Sequence, residues 1–159
     1  MTSLSPAALK VQAALRQHGL DLQVVELAES TRTALEAAQA VGCELGQIVK
    51  SLVFRTKQSE RAVLVLVSGS NRADEKILAG LVGEKIGKAD ADFVRQQTGF
   101  AIGGVPPLAH PQPLLTSIDQ DLFQYETIWA AAGTPFAVFQ LTPPQLVAVT
   151  DGTVTRIAS

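Results

Sequence analysis

Cysteine, histidine and aromatic side chains are scarce in this chain, and each scarcity closes off a class of chemistry. The sole cysteine, Cys43, cannot form an intramolecular disulfide and fits a reducing compartment. With only His18 and His110 beside it, the soft-ligand inventory is too poor for a structural zinc site, and no metal or cofactor is expected. Aromatics make up 5% of residues, so the core must be built mainly from alanine, valine and leucine. No apolar run approaches the ~18 residues of a membrane span. No basic segment followed by an apolar stretch marks a secretory signal, so the expectation is a cytoplasmic protein with no membrane partner. A phosphate-binding loop ending in Gly-Lys-Ser/Thr is missing, as is a Gly-x-Ser-x-Gly elbow. Gly99, Gly103 and Gly104 have the wrong spacing for a dinucleotide fingerprint and lead into prolines rather than a helix.

What remains is a chain of 159 residues, the size of one domain spanning residues 1–159. Its 47% apolar and 18% charged residues are globular in balance, and no linker or repeat divides it. A net charge of -2 argues against a general nucleic-acid coat protein, because neutralising phosphates takes clustered Lys and Arg. A local basic rim drawn from Arg32, Lys57, Arg72 and Lys76 is compatible with that charge. Nothing in the chain fixes an oligomeric state.

Ser5 and Pro6 predict a helix start, with Gly19 closing it. Leu22 to Leu27 has strand character. Thr33 and Glu36 have the spacing of a capping box for a helix that stops at Gly42. Ile48 to Thr56 and Arg61 to Val67 read as a strand pair joined by a polar connection of hairpin length. A helix from about Ala73 to Val82 follows, with Ser68 to Asn71 as its cap. A short strand at Lys85 to Lys88 and a brief helix after Asp90 come next. Leu114 to Ile118, Ile128 to Ala132 and Phe136 to Leu141 read as strands, Thr142-Pro143 opens a last helix, and Val154 to Ile157 closes as a strand. Irregular alternation with adjacent hairpins predicts a mixed-sheet α/β or α+β domain rather than a doubly wound parallel sheet.

If the chain is an enzyme, few side chains carry its chemistry. Alternation along Ile48 to Phe54 places Ile48, Lys50, Leu52 and Phe54 on one face, so Lys50 stands among neighbours that expect burial. It is either a lysine whose stem lies along apolar surface with its charge in water, or a cation facing a pocket. Gly103-Gly104-Val105-Pro106-Pro107 cannot be regular structure, since its glycines permit unusual angles and its prolines remove donors. It is a tight turn, or a rigid loop whose amides bind a carbonyl oxygen. His110 is a general base or a hydrogen-bonded loop residue. Thr31 and Arg32 precede a helix start, where free amides and the dipole favour an anion; Thr33 reads as a cap. Asp119 and Asp151 read as turn or strand-end residues.

Together these segments resemble the YbaK/EbsC and prolyl-tRNA-synthetase insertion-domain family of aminoacyl-tRNA editing domains. The carrying residues are Ser30-Thr31-Arg32-Thr33-Ala34, Gly46 through Phe54, Thr98 through Pro107, and Ala131-Ala132-Gly133. The resemblance implies a compact fold around a mixed, barrel-like sheet flanked by short helices. It implies hydrolysis, without a metal or protein nucleophile, of the ester joining a wrong amino acid to tRNA, typically proline tRNA. A ribose hydroxyl of the terminal adenosine is expected to assist the attacking water. The family's lysine maps onto Lys50, and its Gly-x-x-x-Pro loop onto Gly103 through Pro107. Thr31, Arg32, His110 and Gly133 join the expected substrate-binding set. The expected partners are the acceptor end of mischarged tRNA and an aminoacyl-tRNA synthetase. The Gly103–Pro107 version is closer to branches acting on alanine, serine or threonine than to the cysteinyl-tRNA branch, where serine usually stands in place of Pro106. A non-catalytic tRNA- or protein-binding relative, a deacylase of cysteinyl proline tRNA and a small-molecule ester hydrolase are the alternatives.

Overall fold

The computed structural model describes residues 4–158. Helix α1 (Pro6–Gln17) starts where expected, with the Ser5 hydroxyl accepting from the Ala8 amide and a proline at the position that needs no donor. It buries Ala8, Val11 and Leu15 at helical spacing. Gln12, on the same face, donates to the Leu22 carbonyl and accepts from the Val24 amide, fixing α1 to strand β1 (Val24–Glu26). Thr33 caps α2 (Ala34–Val41), which stops at Gly42 in the left-handed region at φ 73°.

The expected hairpin is β2 (Val49–Thr56) and β3 (Ala62–Ser68). Helix α3 (Glu75–Val82) begins later than its apolar pattern predicts, because Asp74 rather than the Ser68–Asn71 segment supplies the cap. Strand β4 (Ile86–Lys88), helix α4 (Ala91–Thr98) and strand β5 (Leu115–Asp119) follow. Strands β6 (Ile128–Ala131) and β7 (Ala137–Leu141), helix α5 (Pro143–Thr150) and strand β8 (Thr153–Thr155) complete the chain. Two 3-10 turns, Leu45–Gln47 and Gln120–Gln124, have no counterpart in the sequence pattern, being too short to show a period.

The mixed α/β architecture holds, but the sheet is not closed into a barrel. The strands form two open sheets, β1-β7-β6 and β4-β2-β3-β5-β8, joined by an isolated bridge between Ile48 and Trp129. Parallel pairing of β3 with β5 and of β5 with β8 makes the larger sheet mixed. All seven residues of β3 are buried, which explains its continuous apolar run. Leu64 and Leu66 meet Phe139, Leu141 and α1 in the core between the sheets, whereas Val63, Val65 and Val67 pack with Leu78 of α3.

One edge of β2 stays open. The Thr56 amide donates to the Arg61 carbonyl and the Gly69 amide to the Ile48 carbonyl, so even-numbered residues here bond to β3. Alternation therefore turns the main-chain groups of Val49, Ser51 and Val53 the other way. Strand β4 covers that edge only at Phe54–Thr56, and the Ile48–Trp129 bridge holds its start. Among the described residues no strand pairs with the edge at Ser51–Val53.

Candidate functional site

Lys50 lies near the start of β2, one residue from the open edge, and is half-buried. Its ammonium donates to the Asn71 carbonyl. An ammonium has three donors, so this contact holds the group while leaving capacity for another acceptor. Burial pushes the Lys50 pKa down, Asp119 opposes that shift, and Arg72 adds to it. Asn71 is itself held by charge: its side-chain amide donates to Asp119 at 2.9 Å and to Asp121 at 2.7 Å. Asp119, 1% exposed, also accepts from the amides of Ser68 and Asp121, both at 3.0 Å. A buried carboxylate thus fixes the segment that fixes the lysine.

The glycine–proline loop is assembled by backbone packing. Gly103 has φ 94°, and a Cβ there would come within 3.2 Å of the Arg32 side chain. Gly104 accepts from the Gly133 amide at 2.9 Å, and its own Cβ would meet Thr134 backbone at 2.8 Å. Gly133, at φ 101°, passes as closely over the Ala7 carbonyl. The loops around Gly104 and Gly133 therefore touch main chain to main chain, which only glycine permits. Val105, Pro106 and Pro107 are buried. His110 Nε2 lies 2.8 Å from the Pro106 carbonyl, a bond in which the imidazole must be the donor. Burial pushes the His110 pKa down.

These pieces border a cleft of about 350 Å³. Lys50, Ser51 and Gly103 line it together with Thr31, Arg32 and Val105. Its apolar wall is Ala37, Ala130, Ala131, Ile48, Val138 and Trp129. Of the residues predicted for the site, Lys50, Thr31, Arg32, Gly103 and Val105 meet there. Gly104, Pro106, Pro107, His110 and Gly133 do not line the cleft; they shape the loop behind it. The hydroxyl of Thr31 donates to the Pro135 carbonyl at 2.9 Å. Of the expected basic rim, Arg32 and Arg72 border clefts while Lys57 and Lys76 border neither, and Lys88 takes a place that sequence reasoning missed. Ser51 was also missed: its buried hydroxyl has no partner among the described residues, and the signal was a serine at an apolar strand position. Asn71 gave no signal, because its role depends on a contact with Asp119 across the fold.

The model of the aminoacyl-tRNA editing domain family matches residues 28–149, a span that holds both Lys50 and the glycine–proline loop. A crystal structure of a candidate trans-editing enzyme for prolyl tRNA synthetase superposes with a TM-score of 0.93 at 52% identity, covering 99% of each chain. The uncharacterized protein YwhH of Bacillus subtilis (strain 168) is 31% identical over 86% of both chains. EbsC of Enterococcus faecalis (strain ATCC 700802 / V583), named as a candidate Cys-tRNA(Pro)/Cys-tRNA(Cys) deacylase, is 26% identical over 91% of this chain and 90% of its own. The matched span, together with a lysine and a glycine loop sharing one small cleft, establishes that this chain belongs to the aminoacyl-tRNA editing domain family.

Proposed function

We propose that this chain is a trans-acting deacylase that removes a small amino acid, such as alanine, serine or threonine, from mischarged proline tRNA. Membership of the editing family makes it a hydrolase of ester bonds; the proposal adds the substrate and the division of labour. The observation that carries it is the meeting of Lys50 and Gly103 in one alanine-walled cleft of small volume. An aminoacyl ester is already reactive, so positioning its carbonyl and a water supplies much of the acceleration. Water adds to the carbonyl carbon, the bond to the ribose oxygen breaks, and the free amino acid and the tRNA hydroxyl are released. Lys50 stabilises the oxyanion or orients the acceptor end, the loop amides hold the aminoacyl group, and a ribose hydroxyl assists the water. Discrimination by size suits such a cleft, because one methylene is worth only about 1–3 kcal/mol to a synthetase and a second sieve removes the error.

Deacylation of proline tRNA charged with alanine, serine, threonine or cysteine tests the reading directly. The purified chain is expected to release one of the first three fastest, with or without the synthetase present. Lys50→Ala should lose about 100-fold or more, the scale of removing one oxyanion donor. A mutant as fast as wild type would refute the role of Lys50. Preference for cysteine would favour the specificity carried in the name of EbsC. Binding without turnover of any of the four would mark a non-catalytic relative.

A further inference from the structure

Ser51 carries the one buried side-chain polar atom that has no hydrogen-bond partner among the described residues. Its place on β2 makes that unusual. Val49 belongs to the core between the sheets and Val53 packs against it, so alternation turns the Ser51 side chain to the same apolar side. Ser51 also lines the Lys50 cleft, whose wall includes Val105, Ala130 and Val138. A buried hydroxyl left unpaired destabilises a fold, and one that lines a cleft points to a ligand that completes it. We infer that the Ser51 hydroxyl reads the side chain of the amino acid to be removed and sets a preference for serine over alanine. The inference rests on the deacylase reading and deepens it by naming the substrate.

The other hydroxyls that line this cleft are already engaged. Thr31 donates to the Pro135 carbonyl at 2.9 Å. Thr33 donates to the Glu36 carboxylate at 2.9 Å and accepts from the Glu36 amide at 3.1 Å. Ser51 keeps its donor and its acceptor lone pairs for a ligand. A ligand that satisfies it fully both gives and takes a hydrogen bond through a small side chain. A serine hydroxyl does both. An alanine methyl does neither, and a cysteine thiol does each only weakly. A site that pairs with a substrate hydroxyl rejects the analogue lacking it, because its own polar group is then left unpaired. Position agrees with chemistry. Ser51 follows Lys50 directly in the strand, and the β-hydroxyl of a seryl ester lies only a few bonds from the carbonyl that Lys50 would face.

The test compares release of serine and of alanine from proline tRNA by the intact protein, by Ser51→Ala and by Ser51→Thr. Wild type should favour the seryl ester in kcat/KM by about tenfold or more, the scale of one unpaired buried hydroxyl. Ser51→Ala should bring that ratio close to one, and Ser51→Thr, which keeps a hydroxyl, should preserve it. Because the Ser51 hydroxyl has no partner among the described residues, Ser51→Ala should melt no lower than wild type, so the effect is not one of folding. A wild-type ratio near one, or an equal fall for both esters in Ser51→Ala, overturns the inference and leaves the deacylase reading standing. Binding of the seryl and alanyl amides of 3′-amino-3′-deoxyadenosine, which carry no ester, separates the two claims. If wild type prefers the seryl amide, Ser51→Ala does not, and neither ester is cleaved, the specificity site stands and the deacylase reading falls.

Discussion

Lys50 stands where strand alternation calls for an apolar side chain, and the fold accommodates its charge at a distance. Burial favours the neutral amine, while the Asp119 carboxylate favours the ammonium. Asp119→Asn keeps the size of the side chain and removes its charge. With that raising influence gone, Lys50 should lose its proton at lower pH than in wild type. If the ammonium is the working form, the alkaline limb of the pH–rate profile moves to lower pH. A merely structural role for Asp119 would lower the rate without moving that limb. The new amide must also point a donor at the Asp121 or Ser68 amide, so a loss of about 1–3 kcal/mol in thermal or denaturant unfolding should accompany the shift. The oddity of Lys50 was legible from alternation alone. The reason for it was not, because Asn71 and Asp119 are 48 residues apart in sequence and meet only in the folded chain.

Helix ends were the most legible elements, since a cap is a local device. Ser5, Thr33, Asp90 and Thr142 each accept from an amide three residues on, as their spacing foretold. The glycine–proline loop was legible as irregular backbone but not as a tertiary contact, because no local rule pairs Gly104 with Gly133. Gly104→Ala tests that contact. Its methyl would meet Thr134 backbone at 2.8 Å, which cannot yield as a flexible side chain would. Stability should fall by about 1–3 kcal/mol, as for other overpacking changes, and deacylation should fall with it because Gly103 moves. His110 pins the same loop through Pro106. Its folded pKa lies below the ordinary value of 6.5, so the stability held by its neutral form is complete above that pH and declines as pH falls through the folded pKa. Thermal melts from pH 8 to pH 5 should fall less steeply in His110→Gln than in wild type.

At the scale of the whole molecule, composition and element order conveyed the mixed fold, whereas the division into two sheets was hidden. Strand pairing in a mixed sheet is non-local: β3 lies beside β5 and β5 beside β8, although other elements intervene in the chain. Charge is the other global property, and here the structure narrows what the sequence allowed. The chain carries net charge -2, and among the described residues the cations bordering the Lys50 cleft of about 350 Å³ and the adjoining cleft of about 320 Å³ are Arg32, Lys50, Arg72 and Lys88. Lys50 is held by Asn71 and, on the proposed reading, faces the reacting ester, so that reading leaves Arg32, Arg72 and Lys88 for phosphates. At ~0.7 counterions released per phosphate on a single strand, those three contacts give a slope of about -2 in log K against log salt. Charge reversal at Lys57 or Lys76, which border neither cleft, should leave that slope unchanged. Reversal at Lys88 should flatten it by about one contact's worth, roughly 0.7. A slope near -5 in wild type would mean a footprint reaching well beyond the cations that border these two clefts.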